Sequence, residues 1–193
     1  MRVSDTLALL RREKVVTLTP TGRVRSIVEE VVGEAVKGSW WGHPKGKAIY
    51  ACAQAVSESG EAVAVKLIAG KVTFVHRDLW PALYRVATDA GRRAARARGL
   101  SVEARDLLAR VEEAGELRLD RLKPAPAPRA REALEKALLC LTEDLHTERG
   151  SHTKVLISWE RWADAGVRRA AEAFALERAR AVLAAACGGA LAI

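Results

Sequence analysis

Two short stretches in which large apolar residues recur at every second position constrain the fold of this chain most strongly. In residues 61–76 the alternation runs on both sides of a turn at Ala69-Gly70, and in residues 141–158 it runs on both sides of residues 148–151. Alternation interrupted by a turn is typical of an antiparallel β-hairpin. The sequence therefore predicts two hairpins, one in each half of the chain.

Elsewhere, apolar residues recur every three or four positions, which is typical of amphipathic helices. Capping residues, glycine and proline mark where several of them begin and end. The predicted helices cover residues 20–37, 45–57, 78–99, 101–114, 129–141, 159–164 and 167–187, and short strands are predicted at 15–18 and 116–122. We therefore expect a mainly α fold with β-hairpins (α+β) in two units. These are residues 1–99, with a basic helix, and residues 100–193, which end in a long C-terminal helix.

Composition limits the class of protein. Apolar residues make up 49% of the chain, charged residues 29%, and the formal net charge is +8. Such values exclude a disordered tail protein. A membrane span would need about 18 apolar residues in a row, and a signal peptide an apolar core with a cleavage site. The sequence indicates neither feature, so we expect a cytoplasmic protein with no membrane partner, and association with the nucleoid is compatible with its charge.

The three cysteines, Cys52, Cys140 and Cys187, are far apart and form no CxxC pair. This spacing argues against a zinc ribbon, and buried, reduced thiols are the expected state. We predict no metal and no cofactor.

Arginine outnumbers lysine 23 to 9, asparagine is absent and Gln54 is the only glutamine. Arginine pairs with guanine or binds phosphate, whereas asparagine and glutamine are the usual readers of adenine. A base-reading protein of this composition would depend on arginine. A GC-rich genome, which favours arginine codons, explains the same bias.

The element order helix, short strand, helix, hairpin appears in residues 101–158, and residues 21–76 give helix, helix, hairpin. With the run from Leu100 to Leu108 and the wing-like hairpin, the chain resembles winged-helix DNA-binding proteins. More loosely, it resembles the tandem winged-helix DNA glycosylases that act on alkylated and cross-linked bases. The resemblance implies tandem winged-helix units and a double-stranded DNA partner. The glutamine-centred catalytic motif of those glycosylases is not matched, because Gln54 lies within a helix, so no catalytic residue is assigned.

The densest basic cluster lies in the helix predicted over residues 78–99. Its members are Arg85, Arg92, Arg93, Arg96 and Arg98. Such a face can neutralise several phosphates. The alternative is a solvated helix end, where arginine also complements the helix dipole.

Residues 40–47 form the most unusual segment, with two adjacent tryptophans followed by two lysines. Trp40 and Trp41 cannot both face one core, so at least one should meet solvent or a partner. Aromatic rings beside Lys45 and Lys47 suit base stacking or groove insertion. The alternative is that both rings pack beneath the hairpin.

Two further segments carry weaker hypotheses. In the second hairpin, Arg149 at the tip is the expected phosphate contact, and His146 and His152 suggest a metal site, although they match no fixed ligand spacing. The helix over residues 129–141 mixes Arg129, Lys136 and acidic residues, which favours a solvated face over a reader of DNA.

The most favoured function is sequence-tolerant DNA binding by tandem winged-helix units in repair or regulation. One rival is a protein-interaction module, for which the alanine-rich last helix would be the docking surface. A homodimer through this C-terminal helix is also possible. The other rival is an enzyme of the glycosylase or nuclease type.

Overall fold

The computed structural model describes residues 2–34, 36, 38–146 and 152–189. The chain forms two compact units, Met1–Trp80 together with Arg180–Ala192, and Pro81–Ala179. The sequence predicts a boundary at residues 99 and 100 instead. The difference arises because the side chain of Arg93 bonds to Leu139 and to Glu112, both of which lie beyond residue 100. In addition, Gly188 lies so close to Arg23 that an added Cβ would approach its carbonyl oxygen to 2.8 Å.

The first unit combines three helices with a three-stranded antiparallel sheet. The central strand of the sheet is β3, and Val75 on it pairs with Val15 of β1 and Val63 of β2. In chain order the elements are α1 (Val3–Glu13), β1 (Val15–Thr17), α2 (Ile27–Val32), a 3-10 turn (Trp40–Gly42), α3 (Gly46–Glu58), β2 (Ala62–Ile68) and β3 (Lys71–His76). The apolar faces of α1, α2 and α3 and the inner face of the sheet share one core that includes Leu10, Ile27, Ile49, Val56 and Phe74.

Helix α2 is shorter than the predicted helix over residues 20–37. It begins at Ser26, whose hydroxyl accepts a hydrogen bond from the Glu29 amide at 3.2 Å and donates to the Glu29 carboxylate at 2.6 Å. It ends at Gly33, which has a φ of 86°. The residues before Ser26 instead lie beside β1, where the Thr17 amide donates to the Arg25 carbonyl at 3.0 Å.

The second unit repeats the plan of a helix, a strand, a helix and a hairpin. Its sheet has the order β4-β6-β5, with both outer strands antiparallel to β6. The elements of the remaining chain are α4 (Trp80–Thr88), α5 (Ala90–Ala97), α6 (Val102–Ala114), β4 (Glu116–Arg118), a 3-10 turn (Leu119–Arg121), α7 (Pro128–Lys136), β5 (Leu141–His146), β6 (His152–Ile157), α8 (Trp159–Trp162), α9 (Ala165–Glu172) and α10 (Leu176–Ala186). Its core includes Leu107, Val111, Leu134, Leu139 and Leu156.

Two predicted helices are each divided in the structure. The helix over residues 78–99 is broken at Asp89, whose carboxylate accepts from the Arg92 amide at 3.1 Å and so caps α5. The helix over residues 167–187 is broken between α9 and α10, where the Phe174 amide donates to Ala171 in a tighter turn. Neither break is marked by glycine or proline, which explains why the apolar pattern runs through both.

The predicted fold class is confirmed, since the chain is mainly helical, contains two small antiparallel sheets and ends in a helix. Over the part of the chain that the structure describes, each helix is too short or too polar to cross a bilayer.

Candidate nucleic-acid interface

Trp40 and Trp41 lie in the 3-10 turn before α3 and stack on each other. Their ring centroids are 4.2 Å apart and their planes differ by 22°. Trp40 is partly buried and packs against the core of the first unit, whereas Trp41 is 66% exposed. Trp40 therefore belongs partly to the core, and the exposed ring of Trp41 stacks on it.

The turn that holds this pair is fixed by backbone hydrogen bonds and by a glycine. The His43 amide donates to the Trp40 carbonyl at 3.1 Å, and the Gly46 amide donates to the His43 carbonyl at 2.8 Å. A Cβ on Gly46 would lie 3.2 Å from the Trp40 oxygen and 3.1 Å from the Trp41 oxygen. The absence of a side chain at Gly46 thus lets α3 begin directly against the turn.

Lys45 has an intramolecular role. Its Nζ donates to the carbonyls of Val31 at 3.2 Å and Val32 at 3.0 Å, which are the last residues of α2. A cation at a helix C-terminus satisfies carbonyls that lack helical partners and complements the helix dipole. Lys45 therefore links the segment that follows the 3-10 turn to the end of α2.

The outer face of α3 continues the exposed surface. Ile49, Cys52 and Val56 point into the core, and Lys47, Tyr50 and Gln54 lie on the opposite, exposed side. The Tyr50 ring is 5.8 Å from that of Trp41 and is 43% exposed. Gln54 Nε2 donates to the Glu58 carboxylate at 2.8 Å, which orients its amide along the helix.

We define the α3 surface as the exposed side chains of Trp41, Lys47, Tyr50 and Gln54. Lys47 is exposed and forms no ion pair with any residue that the structure describes. The surface thus presents two aromatic rings, one free ammonium group and one amide. Tyr50 is not among the residues predicted to bind nucleic acid, although its position three residues after Lys47, on the helix face opposite Cys52, was a usable signal.

The hairpin of β2 and β3 turns at Ala69 and Gly70, which have φ values of 49° and 66°. Two consecutive positive φ angles are typical of a type I′ turn, whose twist matches that of the strands. Lys71 follows the turn and is exposed. The hairpin therefore carries a cation at its tip.

The predicted arginine cluster is placed differently from expectation, because Arg92, Arg93 and Arg96 of α5 are partly buried, whereas Ala90, Ala94 and Ala95 are exposed. Arg96 donates to the carbonyls of Val86 at 3.4 Å and Ala87 at 2.6 Å, near the C-terminus of α4. Burial lowers the pKa of Arg96 from its usual value, and the neighbouring Arg93 adds to that effect.

Arg85, Arg92 and Arg93 of this cluster also have internal partners. Arg93 pairs with Glu112, Arg92 lies 3.6 Å from the Glu177 carboxylate, and Arg85 donates to the Phe174 carbonyl at 3.2 Å. Arg98 is exposed at the end of α5. Phosphate contact by Arg85, Arg92, Arg93 and Arg96 stays a prediction, and each would first have to give up an intramolecular contact.

A charged network joins α1 to the ends of β2 and β3. Arg11 donates to the Glu61 carboxylate through Nε at 2.7 Å and through a second nitrogen at 2.5 Å. These bonds lower the pKa of Glu61 to about 2. Lys14 lies 2.5 Å from the Asp78 carboxylate and lowers the pKa of that group as well.

In the second unit, α7 carries paired charges. Arg131 bonds to Glu135 at 2.6 Å and Lys136 to Glu132 at 2.9 Å, which are contacts between neighbours four residues apart on one helix. These cations are neutralised locally.

Arg149 lies outside the described residues, as does the tip of the second hairpin. Among the residues that are described, no three His, Cys, Asp or Glu side chains are grouped to hold a metal ion. The three cysteines are free and buried, and burial raises the pKa of the Cys140 and Cys187 thiols to about 12. Thiols of this kind are poor nucleophiles.

Comparisons with protein-family models, curated proteins and solved structures give no match for this chain.

Proposed function

We propose that this protein binds DNA with little sequence preference, and that the α3 surface of the first unit makes the contact. The observation that carries the proposal is the exposed row of Trp41, Lys47 and Tyr50 on and beside α3. Aromatic rings interleaved with a cation suit contact with bases and phosphates.

The order of the elements supports this assignment. The first unit runs helix, strand, helix, helix, hairpin, and its strands have the order β1-β3-β2. This plan is the one expected of a winged helix, in which α3 would be the recognition helix and the β2–β3 hairpin the wing. The second unit has the corresponding strand order, with a 3-10 turn at Leu119–Arg121 in the place of the middle helix.

The distribution of charge also supports the proposal. The first unit contains 13 lysines and arginines against eight aspartates and glutamates. Many of these cations are paired internally, but Lys47 and Lys71 are exposed on α3 and at the hairpin tip. A positive excess attracts polyanions, and each phosphate contact releases counterions.

Binding of a labelled DNA duplex, measured by fluorescence anisotropy across a range of salt concentrations, tests the proposal. We expect Lys47→Ala and Lys71→Ala each to weaken binding and to reduce the salt slope by about one. Arg12→Ala is the matched control, because Arg12 is an exposed cation on α1 that pairs with Glu13 at 2.9 Å.

Unchanged slopes in both lysine variants would contradict the proposal. Binding that is absent at every salt concentration would favour the protein-interaction module instead, and release of bases or cleavage of the duplex would favour the enzyme. The homodimer through the C-terminal helix stays a prediction, and sedimentation of the free protein tests it.

A further inference from the structure

We infer that the DNA recognised by the α3 surface contains an unstacked base, and that the open face of Trp41 receives it. This inference rests on the proposed function and narrows it to a class of ligand: single-stranded DNA, or a duplex in which one base has left the stack.

The first argument is the geometry of the ring. Trp40 covers one face of the Trp41 indole at a centroid distance of 4.2 Å. Trp41 nevertheless keeps 66% of its surface in solvent, so its opposite face is open. A base that lies on this face would extend the existing stack of two rings. Stacking of this kind is tolerant of sequence, because every base has a π face.

The second argument is that the Trp41 ring is already held in place before a ligand binds. Trp40 packs against the core, Gly46 lies against the carbonyls of the turn, and Lys45 holds α2. A side chain that is fixed before binding loses little conformational freedom when the ligand arrives. The structure therefore offers an aromatic surface in the orientation that stacking requires.

The third argument is the scarcity of charge on α3. The helix carries one lysine, Lys47, and one acid, Glu58. A helix that reads the groove of an intact duplex presents several polar or cationic side chains toward the base edges. Every base of an intact duplex is already stacked on both faces. Stacking on an open indole therefore adds most binding energy when the base is unpaired or displaced.

The test compares three ligands at one salt concentration: an intact duplex, the same duplex with one extra unpaired base, and the single strand. We expect the duplex with the extra base and the single strand to bind more tightly than the intact duplex by about tenfold, the value of one stacked base. Trp41→Ala should remove this preference, and Trp41→Phe should retain most of it. Trp41→Leu should behave as Trp41→Ala, since leucine is apolar but cannot stack.

The matched control is Val102→Ala, because Val102 on α6 is an apolar residue with a similar exposure of 65%. It should leave all three affinities unchanged, and circular dichroism verifies that each variant is folded. Equal binding of the three ligands, or an equal loss for all of them in Trp41→Ala, would overturn the inference while the proposed function stands. Failure of every ligand to bind in a salt-dependent manner would overturn both.

Discussion

Two lysines that are two positions apart, Lys45 and Lys47, have different environments although the sequence assigns them the same role. Lys45 donates to two carbonyls at the end of α2, whereas Lys47 is exposed on α3. The two environments differ because Lys45 directly precedes the first residue of α3, where its side chain reaches the end of α2. Substitution of each lysine therefore separates a lysine with intramolecular bonds from the lysine that we propose contacts DNA.

We predict that Lys45→Met lowers the free energy of unfolding by about 1 kcal/mol, because two helix-terminal carbonyls lose a charged donor. Urea unfolding followed by circular dichroism measures this change. Lys47→Met is the control and should change stability by less than about 0.5 kcal/mol, as expected for an exposed side chain that forms no ion pair with a described residue. If Lys45→Met keeps the stability of the parent but binds DNA poorly, Lys45 contacts phosphate directly.

At the scale of elements, α5 shows how a helix can present its apolar side to solvent. Its arginines satisfy carbonyls and a carboxylate of neighbouring elements, while Ala90, Ala94 and Ala95 are exposed. Alanine buries little surface, so the hydrogen bonds of the guanidinium groups outweigh the gain from turning the alanines inward.

We predict that Arg96→Met lowers the free energy of unfolding by about 1–2 kcal/mol, because the carbonyls of Val86 and Ala87 lose a charged donor while the aliphatic part of the side chain is kept. The control is Arg98→Met, because Arg98 directly follows α5 and is exposed. This variant should have a free energy of unfolding within about 0.5 kcal/mol of the parent. Thermal and urea unfolding of both variants measures the difference. Equal stability of the two variants would mean that the bonds of Arg96 contribute nothing.

Elements with both a periodic pattern and a local start or stop signal could be predicted from the sequence. The two hairpins have alternation and a turn, and α6 has its Ser101 cap and its Gly115 stop. The helix ends that were predicted wrongly are those set by a capping residue while the apolar pattern continues on both sides of it. Asp89 divides α4 from α5 in this way, and Ser26 delays the start of α2.

The candidate site could be predicted only in part. The adjacent tryptophans indicate that one ring must leave the core, and the structure identifies it as Trp41. The pattern of arginines in α5 shows that they share a helix face but not whether that face points inward. That choice depends on Glu112 and Leu139, which lie far along the chain and are brought near Arg93 only by folding.

At the scale of the whole molecule, paired carboxylates set the response to acid. The pKa of Glu61 is lowered to about 2 by Arg11, and Lys14 lowers that of Asp78. A carboxylate with a lower pKa in the folded state stabilises the protein above its unfolded pKa, and this contribution is lost as the pH falls toward the folded value. We therefore expect stability to decline between about pH 5 and pH 2.

Urea unfolding at a series of pH values measures this decline. Glu61→Gln should be less stable at neutral pH and should show a shallower decline in acid, since its side chain cannot take up a proton there. Glu113→Gln is the control, because Glu113 is exposed on α6 and forms no ion pair with a described residue. An identical acid profile in Glu61→Gln and the parent would show that the Arg11 contact does not stabilise the fold.

The stacking of Trp40 on Trp41 also has an optical consequence. Two indoles whose centroids are 4.2 Å apart in nearly parallel planes are close enough for their excited states to couple, and we expect circular dichroism bands of opposite sign wherever their transition dipoles are rotated relative to each other. Trp159 and Trp162 form a second pair with planes at 86°, so the two pairs contribute bands of different shape. A molecule that inserts against Trp41 perturbs the first pair alone. We therefore expect that the proposed binding of a base at Trp41 can be followed by circular dichroism without an added dye.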